Sequence, residues 1–239
     1  MMAVSPALKA ERSRIHEELV AGHTLMRRGA ALVVTAFTRL ADGEPVDVRT
    51  LIATTRWLID FVGGQRASEV RLFWPVLREL FPGPVAELDR TVAERDALEA
   101  ELHALDRSVN AIAAREVTGG RAEALAIISQ ATMSGLPSAQ RVQTLVNRHF
   151  DEEEPVLLEL IPRVPDRDVA RLRCAILQSA PRTGPHLVFG LLEDPDRLPG
   201  HTALMSNFPA SVRLLRPVLL ARYRSVKRAL GVSELEGAR

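Results

Sequence analysis

Polar and ionisable side chains recur in pairs spaced four residues apart, inside stretches that are otherwise apolar. Residues four apart lie on one face of a helix, with Cβ atoms about 5 to 6 Å apart. Burying such groups is costly unless they pair or bind a metal ion, and helical bundles build metal sites from carboxylates and imidazoles on facing helices. The spacing therefore predicts a polar or metal-binding layer in a helical core, formed by Gln65 and Glu69, Arg95 and Glu99, His149 and Glu153, and the single His23.

The elements that must position these side chains are helices. Apolar residues recur at spacings of three and four, with almost no alternation of period two, which predicts a nearly all-α chain. Four long helices are predicted, over about residues 6–40, 48–80 and 84–112 and from an N-cap at Ser138 to beyond residue 156. Helices of this length, about 30 to 45 Å, suit an antiparallel four-helix bundle.

Two of the predicted helix faces carry specific expectations. In the third helix, the core stripe is expected to include Arg95, Glu99 and Leu102. In the first helix, the predicted core stripe consists of Ile15, Leu19, His23, Met26, Ala30, Val33, Phe37 and Leu40.

The chain after residue 163 differs in character. Prolines divide it into shorter helical pieces, followed by an amphipathic basic helix over about residues 209–230. We predict a bundle over residues 10–163 and a C-terminal helical subdomain over residues 164–239 that packs on it. The basic helix is interpreted as a surface helix whose apolar face docks on its own domain, in preference to one that lies on a membrane or binds an acidic partner.

Composition excludes several classes of function. The 239 residues contain 31 basic and 30 acidic side chains, so no global charge indicates a nucleic-acid binder. Cys174 is the single cysteine, which excludes an internal disulfide framework. No signal peptide, transmembrane segment, P-loop, dinucleotide fingerprint or nucleophile elbow is found, and a soluble cytoplasmic protein is expected. All but two of the basic residues are arginines, which is typical of a GC-rich bacterial genome.

Four short motifs resemble the hemerythrin-like (HHE cation-binding) family. They are residues 23–28 (HTLMRR), 65–77 (QRASEVRLFWPVL), 94–98 (ERDAL) and 149–154 (HFDEEE), in the order of the family's four helices. The resemblance covers about residues 10–163, and the tail is similar to that of bacterial members with a C-terminal helical extension. Gln65 and Arg95 stand where the family pattern has histidines.

The resemblance implies a four-helix bundle with an atypical non-haem metal site, most simply for one or two iron ions. The implied roles are oxygen, peroxide or nitric-oxide sensing, or iron handling, and a di-metal oxidative enzyme is a lesser alternative. Too few histidines remain for reversible oxygen binding. The implied ligands are His23, Glu69, His149 and Glu153, with Glu99 as a possible replacement and with Gln65 and Arg95 lining the site.

A metal-free interpretation remains open beside this one. The guanidinium of Arg95 stays protonated and forms bidentate pairs with carboxylates, so it would offset the charge of Glu69, Glu99 or Glu153 in a core without metal. In that case the protein would be a hemerythrin-like binding or regulatory module.

Overall fold

The computed structural model describes residues 6–89, 92–116, 120–179 and 183–232, without the side chains of residues 87–95 and 179. Within these ranges every regular element is helical, which confirms the all-α prediction. The α-helices are α1 (Pro6–Ala41), α2 (Val48–Ser68), α3 (Trp74–Leu80), α4 (Pro82–Asp89), α5 (Val92–Glu116), α6 (Arg121–Gln130), α7 (Leu136–Leu160), α8 (Asp166–Ser179), α9 (Pro185–Glu193), α10 (His201–Met205), α11 (Ala210–Leu214) and α12 (Arg216–Ala229).

The four longest helices, α1, α2, α5 and α7, form the centre of the molecule. α1 packs against α2 and α7, and α5 packs against the same two helices. The predicted core stripe of α1 is buried along its whole length, from Ile15 to Leu40. This packing places the inward faces of α1, α2 and α7 around one shared core, where His23, Glu69 and Glu153 are buried.

Two five-residue π-helical segments interrupt the helical path. One, Glu69–Phe73, joins α2 to α3, and the other, Ala131–Gly135, joins α6 to α7. Each is followed, two residues after its end, by a proline, Pro75 or Pro137. Proline has no N–H, and its ring clashes with the carbonyl four residues earlier in an α-helix. The wider turn relieves that clash, and it places Glu69 at the start of an irregular segment of the kind often found at functional sites.

The start of α7 differs from the prediction. The helix begins at Leu136, so Ser138 lies inside the first turn and is buried instead of capping the helix. Its Oγ accepts a hydrogen bond from Nη2 of Arg141 at 3.4 Å. The π-helical segment before Leu136 explains the difference, because it continues the helical path through Gly135 and leaves no free helix end for a cap.

The helices after residue 163 pack mainly against α1 and against one another. α8, α9 and α10 each contact α1, and α12 packs on α9. Buried apolar residues of α9, such as Phe189, belong to the same hydrophobic cluster as Phe37 of α1 and Phe150 of α7. Apolar side chains from both sides of residue 163 therefore share one core.

A buried carboxylate also ties these parts together. Glu18 of α1 accepts hydrogen bonds from Arg14, from Arg173 of α8 and from Asn207, which follows α10. Because Glu18 is fully buried, these donors replace the water that the carboxylate loses on folding. Among the helices described, none combines the length and the apolar character that crossing a bilayer requires.

Candidate metal centre

His23 is the innermost polar residue of the candidate site. It occupies a position of the apolar stripe of α1, which explains why its side chain is buried. Its ring stacks on Phe150 of α7, with ring centroids 3.9 Å apart and an angle of 6° between the planes. This stacking fixes the orientation of the imidazole and therefore the directions of its two nitrogens.

Both ring nitrogens of His23 face carboxylates. Nδ1 lies 3.2 Å from Oε1 of Glu154, within hydrogen-bonding distance. Nε2 lies 3.7 Å from Oε2 of Glu153 and 3.9 Å from Oε1 of Glu69, and it forms no hydrogen bond with any residue that the structure describes. Buried polar atoms without a hydrogen bond are rare in folded proteins, so this nitrogen calls for a partner.

Glu69 is a buried carboxyl at the junction of α2 and the π-helical segment. Nε2 of Gln65, one turn earlier, donates a hydrogen bond to its Oε1 at 2.8 Å. Burial raises the pKa of Glu69 above its usual value, while His23, the hydrogen bond from Gln65 and the charge of Arg66 oppose the rise. Binding of a cation in this position would stabilise the ionised form.

α7 contributes two residues to the candidate site, His149 and Glu153. They are four residues apart, and Nε2 of His149 lies 3.8 Å from Oε2 of Glu153. Glu153 is buried and His149 is partly buried. One ligand atom from each of Glu69, His149 and Glu153 lies within 4.8 Å of the other two, which is close enough for one ion to contact all three.

Glu154 is a site residue that the sequence analysis missed. Its Oε1 contacts His23 and also accepts a hydrogen bond from Nη1 of Arg27 at 2.6 Å. Burial alone would raise the pKa of Glu154, but the hydrogen bonds and charges of His23 and Arg27 outweigh burial and lower it. The available signal was Arg27, which is four residues after His23 on α1 and so lies on the same helix face.

The structure does not bring Glu99 to this cluster. Its side chain is 71% exposed and lies 3.9 Å from the exposed His103 one turn along. The buried stripe of α5 passes instead through Leu98, Leu102 and Leu105. Leu98 and Glu99 are successive residues, so their side chains point about 100° apart around the helix, and the core selects the leucine.

Arg95 lies in α5, in the segment whose side chains are outside the described residues. Its predicted role at the site therefore stays a prediction. Among the other predicted residues, the structure brings His23, Glu69, His149 and Glu153 together and places Gln65 against Glu69.

The residues present fit a metal ion. Two imidazoles and two carboxylates form a mixed nitrogen and oxygen donor set of the kind that iron, manganese and zinc accept. In metalloproteins a histidine ligand commonly donates its second ring N–H to a carboxylate, which fixes the tautomer. The contact between His23 and Glu154 has this form, and it turns the Nε2 lone pair toward Glu69 and Glu153.

Comparison of the chain with protein-family models, with curated proteins and with solved structures found no match. The geometry of the cluster and the motifs in the sequence are therefore the two indications of function.

Proposed function

We propose that the protein binds a divalent transition-metal ion through His23, Glu69, His149 and Glu153. The single observation that carries the proposal is the buried Nε2 of His23, which faces two buried carboxylates and forms no hydrogen bond within the described part of the chain. A metal ion between these atoms would take the nitrogen lone pair and would neutralise the carboxylates.

We further propose that the four long helices form a hemerythrin-like antiparallel four-helix bundle and that the metal is non-haem iron, as one or two ions. Two facts support this proposal. Each long helix packs against two of the others, and the residues that form the cluster come from three of the four motifs that resemble the family. When bound, non-haem iron supplies redox chemistry toward oxygen, peroxide or nitric oxide, so we propose a role in sensing one of these molecules or in handling iron.

The surrounding residues have positioning roles in this proposal. Gln65 orients Glu69 through its hydrogen bond, and Glu154 orients the ring of His23. Arg27 forms a hydrogen-bonded ion pair with Glu154 and so keeps that carboxyl ionised and directed toward Nδ1. Metal affinity therefore depends on residues that would not themselves touch the ion.

The direct test is elemental analysis of protein purified without chelator, before and after anaerobic loading with ferrous iron. We expect one or two metal ions per chain in the wild type and none in the double variant His149→Ala/Glu153→Gln. The matched control is Glu99→Gln/His103→Ala, which removes an exposed pair of the same chemistry and spacing from α5. Its metal content should equal that of the wild type.

Two outcomes would contradict the proposal. One is a wild type that stays free of metal after loading, and the other is unchanged metal content in the His149/Glu153 double variant. Circular dichroism of each variant shows whether a loss of metal comes from loss of ligands or from unfolding.

A further inference from the structure

The corner between α11 and α12 exposes three large apolar side chains. Leu214 is 82% exposed, Leu215 is 53% exposed and Val218 is 64% exposed. We call these three residues the apolar corner. Single exposed apolar residues are common on folded proteins, but a cluster marks an interaction site or a membrane-binding site. The basic helix does dock on its own domain, as expected from the sequence, through Tyr223 and Leu230, which are buried in the main hydrophobic cluster. The apolar corner is the part that stays exposed.

The stretch of sequence that contains the apolar corner has no acidic residue. Residues 197–233 contain no Asp or Glu, although the whole chain has 30 acidic residues, and the following basic residues lie in this stretch: Arg197, Arg213, Arg216, Arg222, Arg224, Lys227 and Arg228. Residues 197–233 are therefore strongly basic, although the net charge of the whole chain is only +1.

Two of these basic residues form ion pairs with carboxylates of the fold. Arg216 pairs with Glu193, and Lys227 pairs with Asp194. In contrast, Arg213, Arg222 and Arg224 are exposed and form no ion pair with any carboxylate in the described ranges. Arg213 is next to Leu214, and Arg222 is one helical turn after Val218, so unpaired positive charge lies directly beside the apolar corner.

We propose that this corner binds an anionic lipid surface, with Leu214, Leu215 and Val218 inserted among the acyl chains and the arginines at the level of the headgroups. Apolar side chains flanked by exposed arginines that are not paired with carboxylates are typical of peripheral binding to negatively charged leaflets. The described helices are not suited to crossing a bilayer, so the contact is with one leaflet.

A second copy of the chain fits this surface less well. In a twofold-symmetric dimer the same patch meets itself, and Arg213 and Arg222 would then face like charges. An anionic lipid surface satisfies the apolar and the basic parts together. This inference does not depend on metal binding.

The test is sedimentation of the full-length protein with vesicles, at low and at high salt. We expect binding to vesicles that contain phosphatidylglycerol in phosphatidylcholine, much weaker binding to pure phosphatidylcholine, and loss of binding at high salt. The variant Leu214→Asn/Leu215→Asn/Val218→Asn should bind at least about tenfold more weakly. Replacing Arg213 or Arg222 with Gln should weaken binding about fivefold for each residue.

The matched control is Leu125→Asn/Leu158→Asn, which removes two exposed leucines far along the chain from the corner and should leave binding unchanged. Sedimentation velocity without vesicles tests for self-association. Competition by soluble polyglutamate tests whether an acidic polymer binds the same surface. The proposal is overturned if the wild type does not bind the anionic vesicles, or if the triple variant binds them as tightly. It is also overturned if the corner instead mediates self-association that the triple variant abolishes. The last overturning result is that soluble polyglutamate binds both the wild type and the triple variant as tightly as the anionic vesicles bind the wild type.

Discussion

Nδ1 of His23 lies 3.2 Å from Oε1 of Glu154, and this contact determines what the other ring nitrogen offers. A neutral imidazole carries one proton. When Nδ1 holds that proton and donates it to Glu154, Nε2 presents a lone pair to Glu69 and Glu153, as a metal ligand does. A doubly protonated ring would instead leave a buried Nε2–H without a hydrogen bond, because both facing oxygens are more than 3.5 Å away.

Replacing Glu154 with Gln is expected to weaken metal binding while the protein stays folded. The amide would no longer hold the N–H of His23 by a charge-assisted hydrogen bond, so affinity should fall about 10- to 100-fold. Competition with a chromophoric chelator, using manganese or ferrous iron under anaerobic conditions, measures the change. Glu152→Gln is the control, because Glu152 is an exposed neighbour on the same helix. Equal affinity in the wild type and in Glu154→Gln would contradict the positioning role.

Replacing Arg95 with Ala distinguishes the metal site from a metal-free core. If a metal ion neutralises the carboxylates, as we propose, the variant should keep its metal and its unfolding free energy should change by less than about 1 kcal/mol. If Arg95 instead compensates buried carboxylates without metal, the loss should be about 3 to 5 kcal/mol. Urea unfolding and metal analysis provide the two readouts. Arg107→Ala, an exposed position on the same helix, is the control.

Much of this fold follows from periodicity in the sequence. The stripe from Ile15 to Leu40 is buried in full, because a spacing of three and four places every one of these residues on the same face of α1. The pair His149 and Glu153 and the isolated His23 were found for the same reason. Each is a polar residue on, or next to, a helix face that packs in the core because the surrounding residues are leucines and valines.

The features that the sequence analysis predicted wrongly or missed also have local causes. Leu98 and Glu99 both stand at helical spacing from Leu102, so the spacing alone did not decide which of the two enters the core, and the structure buries Leu98. The π-helical segment at Glu69 has no periodic signature, since one wide turn does not change the pattern over a whole helix. Glu154 was missed because it lies in a run of acidic residues, where a solvated face is the usual interpretation, and its contact with His23 depends on how α1 and α7 pack.

Glu18 is expected to contribute more to stability than any exposed carboxylate on α1. Its side chain is fully buried and accepts hydrogen bonds from Arg14, Arg173 and Asn207. Glu18→Ala would remove the acceptor and leave the largely buried Arg173 with fewer partners, so the unfolding free energy should fall by about 2 to 4 kcal/mol. Urea unfolding measures the change, with the exposed Glu17→Ala as control. A loss no larger than that of the control would show that the network is energetically neutral.

The pair between Glu193 and Arg216 should make the attachment of α12 sensitive to acid. The hydrogen bond from Arg216 lowers the pKa of Glu193 below its usual 4.5, with the charge of Arg216 acting in the same direction. A carboxyl whose pKa is lower in the folded state stabilises the fold above its unfolded pKa, and this contribution is lost as the pH falls through the folded pKa. Glu193→Gln should therefore lower the free energy of unfolding by about 1 kcal/mol at pH 7, and the difference from the wild type should shrink as the pH falls below about 4.5.

Urea unfolding across this pH range measures the difference. The control is Glu159→Gln, because Glu159 forms an exposed pair with Arg163. A difference that stays constant with pH would mean that Glu193 acts through packing and not through its charge.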